Sequence, residues 1–209
     1  ERGKLDEALT NFRKAIQLDP NRAEPHYAIA HYNLGTLLME LGQLTEAKYH
    51  LREAHAANPE HNLAIGNLGL VLRDLGELTE AYAVLQEALN LDPNNIKALN
   101  TFGLLLLAEG KLAEARKCFQ TAVTMSPKNS VALNNLGTIL ASSGQADAAR
   151  EMLKAALEYT PENAGYRSSL LLAMQYSPEV NLNALRTEHD EWEVHHGTSL
   201  QTIWPTHSN

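Results

Sequence analysis

Asn33, Asn67 and Asn135 lie at multiples of 34 residues from one another, and each precedes a Leu-Gly pair. A carboxamide offers two donors and an acceptor, enough to hold the peptide groups of an extended chain without reading its side chains. Asn134 stands beside Asn135, and Asn100 occupies the position equivalent to Asn134. Thr101 and Ser169 interrupt the series where further asparagines would extend it. Tyr32, Thr36 and Thr138 share the same helical stripe, and Arg73 stands near its end. Two asparagines and a glycine cost a helix roughly 2 kcal/mol relative to alanines. Their recurrence where better helix formers would serve as well points to a peptide-binding face.

Other chemistries find little support. His189, Glu193 and His196 fall at i, i+4 and i+7, a spacing compatible with a metal, but nothing completes the ligand set, and a partly buried histidine packed by Trp192 with solvated neighbours explains it better. There is no glycine-rich phosphate loop, and no Ser/His/Asp or Cys/His arrangement stands out. Glu46, Glu80 and Glu114 recur with the same 34-residue period and belong to the repeat itself. The sequence thus predicts no catalytic centre, no cofactor and no metal. The lone cysteine, Cys118, excludes an internal disulfide framework and fits a reducing, cytoplasmic setting.

These side chains need a scaffold that repeats. Gly42, Gly76, Gly110 and Gly144 keep the same interval, as do Ala47, Ala81, Ala115 and Ala149, then Ala54, Ala88, Ala122 and Ala156, and Pro59, Pro93, Pro127 and Pro161. Within the last full copy, Leu133, Leu136, Gly137 and Leu140 trace one face of a helix ending near Ser143 and Gly144. A second helix runs from about Ala146 to Tyr159 and stops before Pro161, because proline disfavours helix in the residue ahead of it. Each copy is a helical hairpin. Its two helices approach closely only where small residues meet, so Gly35, Gly69, Gly103 and Gly137 are expected opposite Ala47, Ala81, Ala115 and Ala149.

The domain boundaries follow: a half repeat at 1–22, a copy with a five-residue insertion at 23–61, then 62–95, 96–129 and 130–163. The insertion, with Pro25 suited to a first turn, predicts either a first helix longer by about one turn or a loop. Residues 164–197 predict a capping pair, one helix from Asn163 to about Tyr176 and another from Asn181 that buries Leu182, Leu185, His189 and Trp192. Residues 198–209 read as a linker. The chain starts partway through a helical pattern, so a longer parent is expected, and the apolar face of residues 5–16 predicts fraying or self-association.

The totals agree. Of 209 residues, 44% are apolar, and 25 acidic against 17 basic residues give a net charge of -8 with no Lys/Arg cluster. Nucleic acid and anionic membrane are poor partners for such a chain. No apolar run reaches the roughly 18 residues of a membrane helix.

A 34-residue period with these Gly, Ala and Pro landmarks resembles the tetratricopeptide repeat across residues 1–163. The resemblance implies an all-α fold, a right-handed superhelix or α-solenoid of helical hairpins closed by a C-terminal capping pair, with the first helices lining a concave wall. It implies protein or extended peptide as the partner. Gripping an acidic chaperone tail would need converging cations, and only Lys97 and Arg73 are at hand. Residues 163–197, with the runs SLLLAMQYSPEV and EHDEW, resemble the junction after the repeats in O-linked N-acetylglucosamine transferase and SPINDLY-like proteins. That implies a substrate-recruiting role beside a nucleotide-sugar-dependent glycosyltransferase, with Asn33, Asn67 and Asn135 at ladder positions. The alternative is a free-standing adaptor or oligomerisation scaffold.

Overall fold

The repeat unit dictates alternating helices, and the computed structural model, which describes residues 2–18, 25–175, 177 and 181–197, shows eleven α-helices and no strand among them. They are α1 (Arg2–Leu18), α2 (Pro25–Glu40), α3 (Leu44–Ala57), α4 (Asn62–Asp74), α5 (Leu78–Leu91), α6 (Ile96–Ala108), α7 (Leu112–Met125), α8 (Ser130–Ser142), α9 (Ala146–Tyr159), α10 (Ala164–Gln175) and α11 (Leu182–Trp192), with a π-helical turn at Glu193–Gly197. Pro20, most of the inserted segment, Tyr176 and the linker 198–209 lie outside the described residues. The chain divides into two compact units, 1–118 and 119–209.

In the first unit α2 packs on α3, α4 on α5 and α3 on α4, while α1 lies against α2. Leu34, Leu38, Leu51, Ile65, Leu72 and Leu85 are wholly buried between them, each contributing roughly 1.5 to 3 kcal/mol. Gly42 turns the first hairpin at φ 72°. Its N–H reaches Met39 O and the Gln43 N–H reaches Leu38 O, a Schellman closure that needs a left-handed residue. α2 has 16 residues against 13 in α4 and α6 and begins at Pro25, so part of the extra chain is helical. On α1, Leu9 is buried and Phe12 and Ile16 pack against the same core, which leaves less apolar surface open than the sequence suggests. Arg13 pairs with Glu46 at 2.7 Å, and Arg52 pairs with Glu80. Two of the periodic carboxylates therefore tie successive second helices together, each contact worth about 0–1 kcal/mol at this exposure.

The small-residue crossing differs from expectation in one respect. A Cβ on Gly35 would stand 2.8 Å from Leu51 Cγ. The glycine makes room for the leucine one turn after Ala47, because side chains lean toward the preceding turn of their helix.

In the second unit α8 packs on α9, α10 on α9 with an edge against α8, and α11 on α10. Phe119, Leu153 and Leu170 fill its interior. The first-helix starts are capped by side-chain oxygens: Asn129 accepts from the Ala132 N–H at 2.8 Å and Asn163 from the Tyr166 N–H at 3.0 Å, as asparagine does well. Asn181 caps α11 as expected, accepting from the N–H groups of Asn183 and Ala184.

The buried face expected for α11 is corrected by the structure. Leu182 is 74% exposed and His189 is exposed, while Leu185 and Trp192 are only half-buried. α11 is instead held by charge: Arg167, buried on α10, bonds Glu191 at 2.7 Å and lies 3.5 Å from Glu188, which also faces Lys154.

Candidate peptide-binding face

In the first unit the stripe of first-helix residues contains a hydrogen-bond chain crossing three helices. Asn67 on α4 donates through Nδ2 to Thr36 Oγ1 on α2 at 3.0 Å, and its Oδ1 accepts from Lys97 Nζ on α6 at 2.6 Å. Asn67 is 1% exposed, so this amide joins neighbouring repeats and its carbonyl and one N–H are already taken. Burial lowers the Lys97 ammonium below its ordinary value, opposed by the field of Glu40.

Its neighbours fare differently. Thr101 is buried, and its hydroxyl donates to its own helix at Lys97 O, 2.9 Å away. Asn100 is buried beside it. Asn33 is half-buried, with no hydrogen-bond partner for its side chain among the described residues. Tyr32 stacks on His61 with ring centroids 4.7 Å apart. Ile29 and Leu63 stand one turn ahead of Asn33 and Asn67 and are 47% and 55% exposed. Arg73 is engaged through Nε and Nη2 by Asp74 at 2.9 and 2.6 Å, which removes it as a free cation.

In the second unit Asn134 and Asn135 are half-buried on α8. Asn134 Oδ1 and Asn135 Nδ2 are shut from solvent and have no hydrogen-bond partner among the described residues. A buried polar atom left without a hydrogen bond costs about 1–3 kcal/mol. Thr138 is exposed, its hydroxyl donating to Asn134 O at 2.9 Å. The first helices α2, α4, α6 and α8 carry only Glu40, Arg73, Asp74 and Lys97 as charged residues, and α8 carries none. The first helices of each unit by itself can offer amides, hydroxyls and apolar groups to an uncharged segment.

Elsewhere no group of three metal-binding side chains occurs among the described residues. The side chain of His196, proposed as a spacing partner of His189, lies outside them. Burial pushes the Cys118 thiol up, so it stays protonated and unreactive. Among the described residues, no helix is long and apolar enough to cross a membrane. The sequence reading missed the capping role of Asn95, Asn129 and Asn163, although their common place two residues after Pro93, Pro127 and Pro161 was visible.

The family described as "Cilia and flagella-associated protein 70 C-terminal domain" matches residues 1–195. The chain belongs to this family of tetratricopeptide domains. No match is found among curated proteins. Among solved structures, Pseudomonas aeruginosa PilF is 22% identical at a TM-score of 0.70, covering 98% of this chain and 86% of that one. YrrB, described as a TPR protein with an unusual peptide-binding site, is 22% identical at 0.63, covering 92% and 97%. A thermophilic TPR protein of Thermus thermophilus, TTC0263, is 23% identical at 0.64, covering 83% and 92%. These likenesses establish the fold. The tetratricopeptide domain is an all-α solenoid of helical hairpins and a protein-interaction scaffold.

Proposed function

We propose that the second unit of this tetratricopeptide domain binds extended, uncharged polypeptide along the polar face of its first helix, α8. The observation that carries the reading is the pair of amide atoms on α8, Asn134 Oδ1 and Asn135 Nδ2, each buried without a partner. A peptide main chain supplies one donor and one acceptor per residue, the complement these atoms lack and reach when the two half-buried side chains turn outward on binding. The first unit has an uncommitted amide of its own, Asn33 on α2. Asn67, Thr36 and Lys97 hold the first helices of that unit in register, and Asn100 and Thr101 support them from within. Tyr32 and Thr138 flank the amides, and Arg73, neutralised by Asp74, adds no charge selectivity. Panning random dodecapeptides displayed on phage against the chain should enrich uncharged, extended sequences. Enrichment of acidic sequences alone, or of none, would refute the reading.

A second reading keeps the domain beside a glycosyltransferase whose substrates it recruits, and rests on the likeness of residues 163–197 to the corresponding junction. The family match takes all but the last two of those residues into the repeat domain, which a free-standing adaptor explains equally well. A protein O-glycosyltransferase assay on the complete natural protein with labelled nucleotide sugar separates the two: incorporation supports the attached enzyme, and none supports the adaptor.

A further inference from the structure

The second unit holds a cleft of about 440 Å³ between α8 and α10, lined by Thr138, Ala141, Ser142, Gly144, Ser169, Leu172 and Ala173. Its size falls within the range of binding pockets, roughly 300 to 1,000 Å³. No charged side chain lines it. The three hydroxyls have each spent their hydrogen on a backbone carbonyl of their own helix: Thr138 on Asn134 O, Ser142 on Ile139 O and Ser169 on Gly165 O. What remains facing the cleft is mostly methyl and methylene surface, with Leu172 53% exposed at its edge. An anionic occupant would find no donor and a cationic one no carboxylate, only hydroxyl oxygens, so either would surrender most of its hydration, whereas an apolar one gains burial.

The cleft starts one helical turn beyond the amides already described. Thr138, in its lining, bonds the backbone carbonyl of Asn134, and Ala141 and Ser142 follow one turn later on the same helix. We infer that this cleft is an anchor subsite for one bulky apolar side chain, aromatic or aliphatic, of the polypeptide segment whose main chain Asn134 and Asn135 engage. The inference rests on the groove reading for its partner and on the cleft alone for its chemistry. It adds side-chain selectivity to a face that otherwise holds main chain.

The test uses the whole chain, methyl-labelled at alanine and leucine, titrated in NMR with N-acetyl-tryptophanamide and, as a counter-probe, N-acetyl-lysinamide. Both present two amides and differ in the side chain. The tryptophan probe should shift the Ala141, Leu172 and Ala173 methyls saturably, and about tenfold more tightly than the lysine probe. Leu172→Lys changes an exposed edge residue and Ala141→Phe fills the cleft. Either should abolish the saturable shift while the circular dichroism melt stays in place. No saturable shift, equal response to both probes, or a response that survives in both folded variants overturns the subsite. Asn134→Ala with Asn135→Ala should leave the single-residue probe unaffected. A long peptide indifferent to that change would remove the groove reading and leave the cleft result standing.

Discussion

Lys97 places its ammonium 2.6 Å from the side-chain oxygen of Asn67, thirty residues earlier, and the same amide donates to Thr36 at 3.0 Å. One asparagine of the periodic series is thereby a tie between three helices. Asn67→Ala should lower stability by about 1–3 kcal/mol in urea denaturation, since a half-buried hydroxyl and a partly desolvated ammonium lose their partner. Asn33→Ala, which breaks no bond among the described residues, should cost under about 0.5 kcal/mol. Equal losses would deny the distinction.

Gly137 tests the hairpin crossing. An added Cβ would stand 2.7 Å from Leu153 Cγ and 3.2 Å from Ala149 O. Overpacking of that kind costs about 1–3 kcal/mol, more than the roughly 1 kcal/mol that alanine gains over glycine in a helix. Gly137→Ala should therefore melt at lower temperature than the parent. Gly66→Ala meets only the Asn95 side chain at 3.4 Å or beyond and should be neutral or stabilising.

The buried imidazoles of His31 and His50 approach at 3.0 Å between Nδ1 atoms. Burial lowers the His50 value from the ordinary 6.5, outweighing Glu46 and Glu53, which raise it, and joined by Arg13, which lowers it further. The unfolded chain therefore binds this proton more readily than the folded one. Stability should be level above pH 6.5 and fall as the pH drops below it, until the folded-state value is passed. Urea midpoints between pH 5 and 8 would show the slope, and His50→Gln should flatten it.

Charge holds α11, so it should loosen in salt or on loss of Arg167. In Arg167→Met, hydrogen exchange of α11 amides should quicken while α8 and α9 keep their protection. Unchanged exchange would mean that Leu185 and Trp192 suffice to dock the helix.

The contrast between α9 and α11 shows what the sequence made legible. Ala149, Leu153, Ala156 and Leu157 recur with the repeat and are buried as the pattern predicts, because an apolar stripe has only one favourable side. On α11 the spacing of Leu182 and His189 suggested such a stripe, but the inward group is Glu188, drawn by an arginine on another helix. Periodicity contains no information about a pairing of that kind. The same holds for the asparagines: identical neighbours and spacing made Asn33, Asn67 and Asn135 equivalent on paper. The lysine at 97, where Ile29, Leu63 and Val131 occupy the other copies, and the threonine at 36, where Asn135 has Leu104 at the same interval, separate Asn67 from the rest.

The central claim is that uncommitted amides hold a bound main chain. Its most direct measurement is the affinity of one phage-selected dodecapeptide, by titration calorimetry, for the parent and for the Asn134→Ala, Asn135→Ala double variant. Loss of charge-free hydrogen bonds at about 1 kcal/mol each predicts binding weaker by at least about tenfold, with the melting temperature unchanged or raised because unpartnered buried polar atoms are removed. Equal affinity in a folded double variant would contradict the claim.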